Sequence, residues 1–305
     1  MMPSSDVLIC ISKALGMSLD YFFRPFSVNL DPSAFEFRKS PRMGAKQVES
    51  LKYLVCGEIE KYIEIESILG LGVNFALDYS DVCVKGEDDS VLLAKRFRKD
   101  LNLGSDAIVS AVDLLELIGV KVIEVQSEFS FSGTCNMAGD IPVIVINAKM
   151  SPERKRLTLF HELGHLLLHC APEVDKEKMC TVFANEVLIP GEKFTQIIGE
   201  SRNDISLIEL HSVQREYGIS VDALVVKAFQ LNVINPAHYR MYHRKKNASA
   251  EFKRAAEQSL YPKESADRFN RLVYRALASE VISASKAAAL LNTSVSAVTE
   301  QLNLM

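Results

Sequence analysis

His161, Glu162 and His165 fall within the run Phe160-His161-Glu162-Leu163-Gly164-His165. On a helix, residues four apart share one face, so the two imidazoles can hold a single cation while the Glu162 carboxylate, one step round, reaches a water on it. This HExxH arrangement predicts a Zn²⁺ site that activates water, with Glu162 as general base. A catalytic zinc needs a third protein ligand and one open position. His169 shares a face with His165 but lies eight residues from His161, about 12 Å along a helix, too far to join the same ion. The longer metzincin pattern fails, because Leu168 and Ala171 stand where it wants Gly and His. Glu177, beyond a turn containing Pro172, is placed to fold back as an oxygen ligand. On spacing alone Glu173, Asp175 and Glu186 remain alternatives.

These side chains need a helix to present them, and Ser151-Pro152 supplies its start: an N-cap followed by proline at the first helical position. The helix is expected to run to about residue 169, and a second to cover 176–188, ending at Pro190. Upstream, the β-branched stretch 141–147 reads as a strand whose Pro142 puts it at a sheet edge or at a strand beginning. A second strand is expected over 121–125, and 127–140 reads as a polar loop. Elsewhere the periodicity predicts helices over 6–15, 45–68, 91–102 and 107–118, with an acidic turn at 85–90. After the motif, helices are expected over 205–217, 220–231, 248–260, 263–278, 283–291 and 294–302. The basic run Arg240, His243, Arg244, Lys245 and Lys246 reads as a solvated surface.

The 305 residues, 48% hydrophobic and 24% charged, describe a globular chain of about two compact units. A net charge of -4 gives no overall basic field for nucleic acid or membrane. No stretch is long and apolar enough to span a bilayer, and no secretory signal opens the chain. Six cysteines without CxxC spacing indicate neither a disulfide framework nor a zinc ribbon. A soluble, cytoplasmic protein is expected.

The run Arg154-x-Arg156-Leu157-Thr158-Leu159-Phe160-His161-Glu162-Leu163-Gly164-His165 and the block from Glu177 through Ala184-Asn185-Glu186 to Pro190 resemble the ImmA/IrrE family of metallopeptidases. In that family the second block opens on a zinc-binding Glu. The resemblance therefore implies His161, His165 and Glu177 as zinc ligands and Glu162 as general base. This chain departs from the usual pattern at Cys180 (usually Ala), Thr181 (usually Asn), Val187 (usually Leu) and Ile189 (usually Met). The segment Tyr217-Gly218-Ile219-Ser220 is similar to a further family block, so the resemblance covers most of 45–240. The opening residues, including Leu15-Gly16-Met17-Ser18, resemble the tail of a Cro/repressor-type helix-turn-helix domain, with the recognition helix falling before Met1.

The resemblance implies a mostly helical α+β, zincin-like fold, with a small antiparallel or mixed sheet packed on the HExxH helix and a helical C-terminal region. The expected organisation is a truncated helix-turn-helix remnant (1–26), a linker (27–44), a zincin-like metallopeptidase domain (45–235) and a C-terminal helical region (236–305) with a helix-turn-helix look over 279–302. The implied activity is Zn²⁺-dependent cleavage of a protein substrate, a helix-turn-helix repressor, derepressing mobile-element or stress genes. No membrane partner and no direct DNA reading by the truncated N-terminus are expected, and an upstream extension of the gene is. The rival reading is a non-catalytic regulator with a structural zinc site. Glu162 argues against it, because a structural site has no use for a carboxylate beside an open coordination position. Tyr217, His238 and Tyr239 are unranked candidates for stabilising the oxyanion.

Overall fold

The computed structural model describes residues 4–15, 44–126 and 131–303. The expected turn through Tyr21, Phe22 and Phe23, and nearly all of the 27–44 linker, lie outside them. The elements run α1 (Ser5–Leu15), α2 (Ala45–Leu69), β1 (Cys83–Val84), α3 (Glu87–Asp100), α4 (Ala111–Leu117), β2 (Lys121–Val125), β3 (Gly133–Ala138), β4 (Ile141–Asn147), α5 (Pro152–Leu167), β5 (His169–Cys170) and α6 (Lys176–Leu188). Helices then follow: α7 (Gly191–Ile198), α8 (Leu207–Tyr217), α9 (Val221–Gln230), α10 (Pro236–Ala248), α11 (Ala250–Ala256), α12 (Arg268–Ala278), α13 (Ala284–Leu291) and α14 (Val295–Asn303). The fold is the mostly helical α+β one expected, its small mixed sheet packed on the motif helix α5.

Two compact units form. One gathers α1, α2 and α12 to α14. In it Tyr62 of α2 packs against Phe269 of α12 with ring centroids 5.7 Å apart. Arg268 pairs with Glu66 and donates to the Tyr62 hydroxyl at 3.1 Å, and Lys286 pairs with Glu64.

The other unit holds β1 to β5 and α3 to α11. Its three-stranded sheet has the order β2-β4-β3, with β2 parallel and β3 antiparallel to β4. Val143, Ile144, Val145 and Ile146 are each 0% exposed, as befits a strand covered on both faces. Thus β4 is the central strand, and only the second half of the Pro142 expectation fits. Pro142 pairs with Met137 on β3, while the β2 ladder begins one residue later at Lys121↔Val143. Its missing N–H therefore interrupts no bond to β2.

Three further expectations need correction. The loop expected over 127–140 contains β3, which has little β propensity of its own and takes its extended form from pairing with β4. The acidic turn at 85–90 is instead the first turn of α3, where Glu87, Asp88 and Asp89 complement the helix dipole. The motif helix stops at Leu167 rather than 169, because His169 and Cys170 pair in parallel with Cys83 and Val84. The basic run Arg240 to Lys246 lies on a helix, α10, beyond those expected from periodicity.

Candidate metal centre

Helix α5 begins where Ser151 Oγ accepts from Arg154 N, with Pro152 in the first turn. Three charged residues of its opening, Glu153, Lys155 and Arg156, are buried, and each is matched by partners far along the chain. Glu153 accepts from Gln214 Nε2 at 2.8 Å, Ser259 Oγ at 2.8 Å and the Leu260 amide at 3.0 Å. Lys155 Nζ donates to Glu124 and to the Glu264 carbonyl, both at 2.8 Å. Arg156 pairs with Glu264, donates to the Ile108 carbonyl at 2.7 Å and lies under the Tyr261 ring, 4.5 Å from its centroid. The Glu264 carboxylate also accepts from Ala111 N at 3.0 Å, at the start of α4. Gly218 makes room for this arginine. It has φ 64, and a Cβ there would stand 2.5 Å from Arg156 Nε.

The opposite end of α5 meets α6 at close range. A Cβ on Gly164 would come within 3.2 Å of the Cys180 Cα and Cβ, so glycine at this place in the motif sets the separation of the two helices. Phe97 of α3 wedges edge-on against Phe160 and Phe183, at 6.2 and 6.0 Å, and fixes the same pair from behind.

That approach brings the three candidate ligands together. His161 Nε2 and His165 Nε2 are 3.2 Å apart. The Glu177 carboxylate oxygens lie 3.4 Å from the first and 3.3 Å from the second. Ligand atoms of these three residues all fall within 4.8 Å of one another. Two bonds of about 2.05 Å at a tetrahedral angle put their nitrogens about 3.3 Å apart, so the nitrogen separation matches that of a shared zinc. Two nitrogens and one carboxylate oxygen suit zinc rather than calcium or magnesium, which take oxygen ligands.

Thr181, on the next turn of α6, sets the tautomer. Its hydroxyl donates its one proton to the Glu177 carbonyl at 2.9 Å. The same oxygen lies 3.2 Å from His161 Nδ1, so it accepts there and Nδ1 carries the hydrogen. His161 Nε2 is left with its lone pair facing His165 and Glu177.

Glu162 is 7% exposed and stands outside the ligand triad, beside β3. A Cβ on Gly133 of that strand would come 3.3 Å from Glu162 Cγ. Cys135 of the same strand neighbours Glu162: burial first, then that carboxylate, push its thiol up to about 12, so it stays protonated. Burial likewise pushes Cys180 up to about 12. Two of the other carboxylates near Glu177 in the sequence have separate occupations. Asp175 caps α6 by accepting from Lys178 N. Glu186 is buried against Lys227 Nζ at 2.8 Å and accepts from Gly191 N. Glu173 is exposed and His169 sits in β5. Tyr217 is buried in α8, and Tyr239 stacks on Phe229 at 4.6 Å on α10 with His238 nearby in the chain.

Residues 118–229 match the IrrE N-terminal-like domain of the Peptidase M78 family. That span holds β2 to β4, the motif helix and α6, and with them Cys135, His161, Glu162, His165, Glu177 and Thr181. The match supports a peptidase of the ImmA/IrrE type, acting on protein. No curated protein matches the chain. Among the described residues no helix is long and apolar enough to cross a membrane.

Sequence reasoning overlooked Thr181 and Cys135. In the sequence Thr181 stands out only as a departure from the family pattern, and Cys135 falls in a stretch with no strand pattern of its own. Arg156 belonged to the recognised motif, but nothing in the sequence tied it to Glu264.

Proposed function

We propose that the chain is a zinc-dependent endopeptidase in which His161, His165 and Glu177 hold the metal and Glu162 is the general base. The convergence of two Nε2 atoms and one carboxylate, with a second, buried carboxylate adjacent but not among them, carries this reading. Zinc bound there would supply Lewis acidity, lowering the pKa of a water towards about 7 and polarising a peptide carbonyl. Glu162 takes the proton as water attacks that carbonyl and passes it to the leaving amine. Thr181 holds the His161 ring, and the neutral Cys135 thiol neighbours the Glu162 carboxylate. β3 is an edge strand beside α5, and an extended substrate adds to it by backbone hydrogen bonds, as peptides do at open sheet edges.

The substrate, on the family resemblance, is a helix-turn-helix repressor, and the enzyme acts in the cytoplasm. Metal analysis of the full chain together with intact-mass analysis of repressors incubated with it tests the proposal. One zinc per chain and two complementary fragments are expected. A zinc-loaded chain that cuts no repressor and no unstructured protein would refute it.

A further inference from the structure

Helices α10 and α11 carry six cations, Arg240, Arg244, Lys245, Lys246, Lys253 and Arg254, against one acid, Glu251, in a chain whose overall charge is -4. Helix α10 buries none of its thirteen residues. One of the six cations is neutralised locally: Lys246 bridges Asp222 at 2.6 Å and Glu257 at 3.0 Å, and Tyr242 donates to the same Asp222 at 2.7 Å. The other five are exposed. Among the described residues none of those five makes an ion pair, although Lys245 Nζ lies over the Phe252 ring, 4.5 Å from its centroid. Arg240 and Arg244 are four apart and so share a face of α10, about 6 Å along its axis.

From this surface we infer that the α10–α11 pair binds the phosphate backbone of duplex DNA without reading its sequence. The chemistry selects this occupant over others. A protein interface needs an apolar centre, and Met241 is the one large apolar side chain that α10 exposes. Single strands are gripped by exposed aromatic platforms. Here Tyr239 is stacked on Phe229 at 4.6 Å and Tyr242 sits edge-on to Phe252 at 5.8 Å, so the rings are spent on packing. What remains is five exposed arginines and lysines on two consecutive helices, chemistry suited to phosphates. The inference is independent of the peptidase reading, because binding is measured without turnover.

The test is fluorescence anisotropy of a labelled mixed-sequence DNA duplex with the full chain over a range of salt. Wild type should bind in the micromolar range at low salt, with little preference among sequences. The Arg240→Glu/Arg244→Glu/Lys253→Glu/Arg254→Glu variant should lose at least about tenfold in affinity, and its salt dependence should flatten. The milder Arg240→Gln/Arg244→Gln variant should lose part of this with an unchanged circular dichroism spectrum, and Lys99→Glu on α3 should leave binding unaltered. Equal binding by wild type and the quadruple variant would overturn the inference. So would tighter binding to polyglutamate, to single-stranded DNA or to anionic vesicles than to the duplex.

Discussion

The hydroxyl of Thr181 faces His161 Nδ1 at 3.2 Å while donating to the Glu177 carbonyl at 2.9 Å. One side chain thus ties the first proposed ligand to the backbone of the third. Partners of this kind orient a ligating imidazole, and their loss typically costs 10–100-fold in metal affinity. Thr181→Val should weaken zinc binding by about that much, as read by competition with a chromogenic chelator, whereas Thr181→Ser should stay near wild type. Equal affinities for all three proteins would remove Thr181 from the site.

Glu162 lies beside the triad rather than within it. Glu162→Gln should therefore keep its zinc and lose about 10²–10⁴-fold in peptidase turnover. A zinc-loaded Glu162→Gln protein that still cleaves at the wild-type rate would contradict the assignment of the base.

The proposed third ligand, Glu177, is separable from its neighbours by stoichiometry. Glu177→Ala should lose most of its zinc on dialysis. His169→Ala, altered in the β5 pairing with β1, should retain it. The opposite pattern would place the metal elsewhere.

The ligand motif was legible in the sequence because it is local: two histidines and a glutamate within five positions, on a helix opened by Ser151-Pro152. The strand β3 was not, since Gly133-Thr134-Cys135-Asn136 has no strand pattern until β4 pairs with it. The three buried charges at the start of α5 were invisible for a related reason. Glu153, Lys155 and Arg156 look solvated in the sequence, and the Glu264 that receives Arg156 lies 108 positions away. Periodicity reports which face a helix buries, but it does not report which distant partner makes the burial of a charge tolerable.

That partnership is testable as stability. Arg156 is 0% exposed and Glu264 is 8% exposed, so removing either leaves an uncompensated buried charge, at a cost of about 3–5 kcal/mol. Arg156→Met and Glu264→Leu should each lower the melting temperature steeply, while the double variant should recover much of the loss. Additive effects in the double variant would show that the two side chains do not stabilise each other.

Glu153 gives the fold an acid limit. Burial pushes its pKa up, but hydrogen bonds from its own backbone amide, Ser259, Gln214 and Leu260 together outweigh burial and hold the carboxyl below its ordinary value of 4.5. A group whose pKa is depressed by folding binds its proton more readily in the unfolded chain, so its contribution is present above the unfolded value and fades as pH falls through the folded one. Wild type should therefore lose stability below about pH 4.5, the unfolded carboxylate range, through protonation at the junction of α5 with the Gln258 to Tyr261 segment. Glu153→Gln has no proton to take up there. It should be less stable at pH 7, where it loses the charge-assisted bonds, and its melting temperature should fall less between pH 5 and 3 than that of wild type. Parallel melting curves for the two proteins across that interval would show that Glu153 takes no part in acid unfolding.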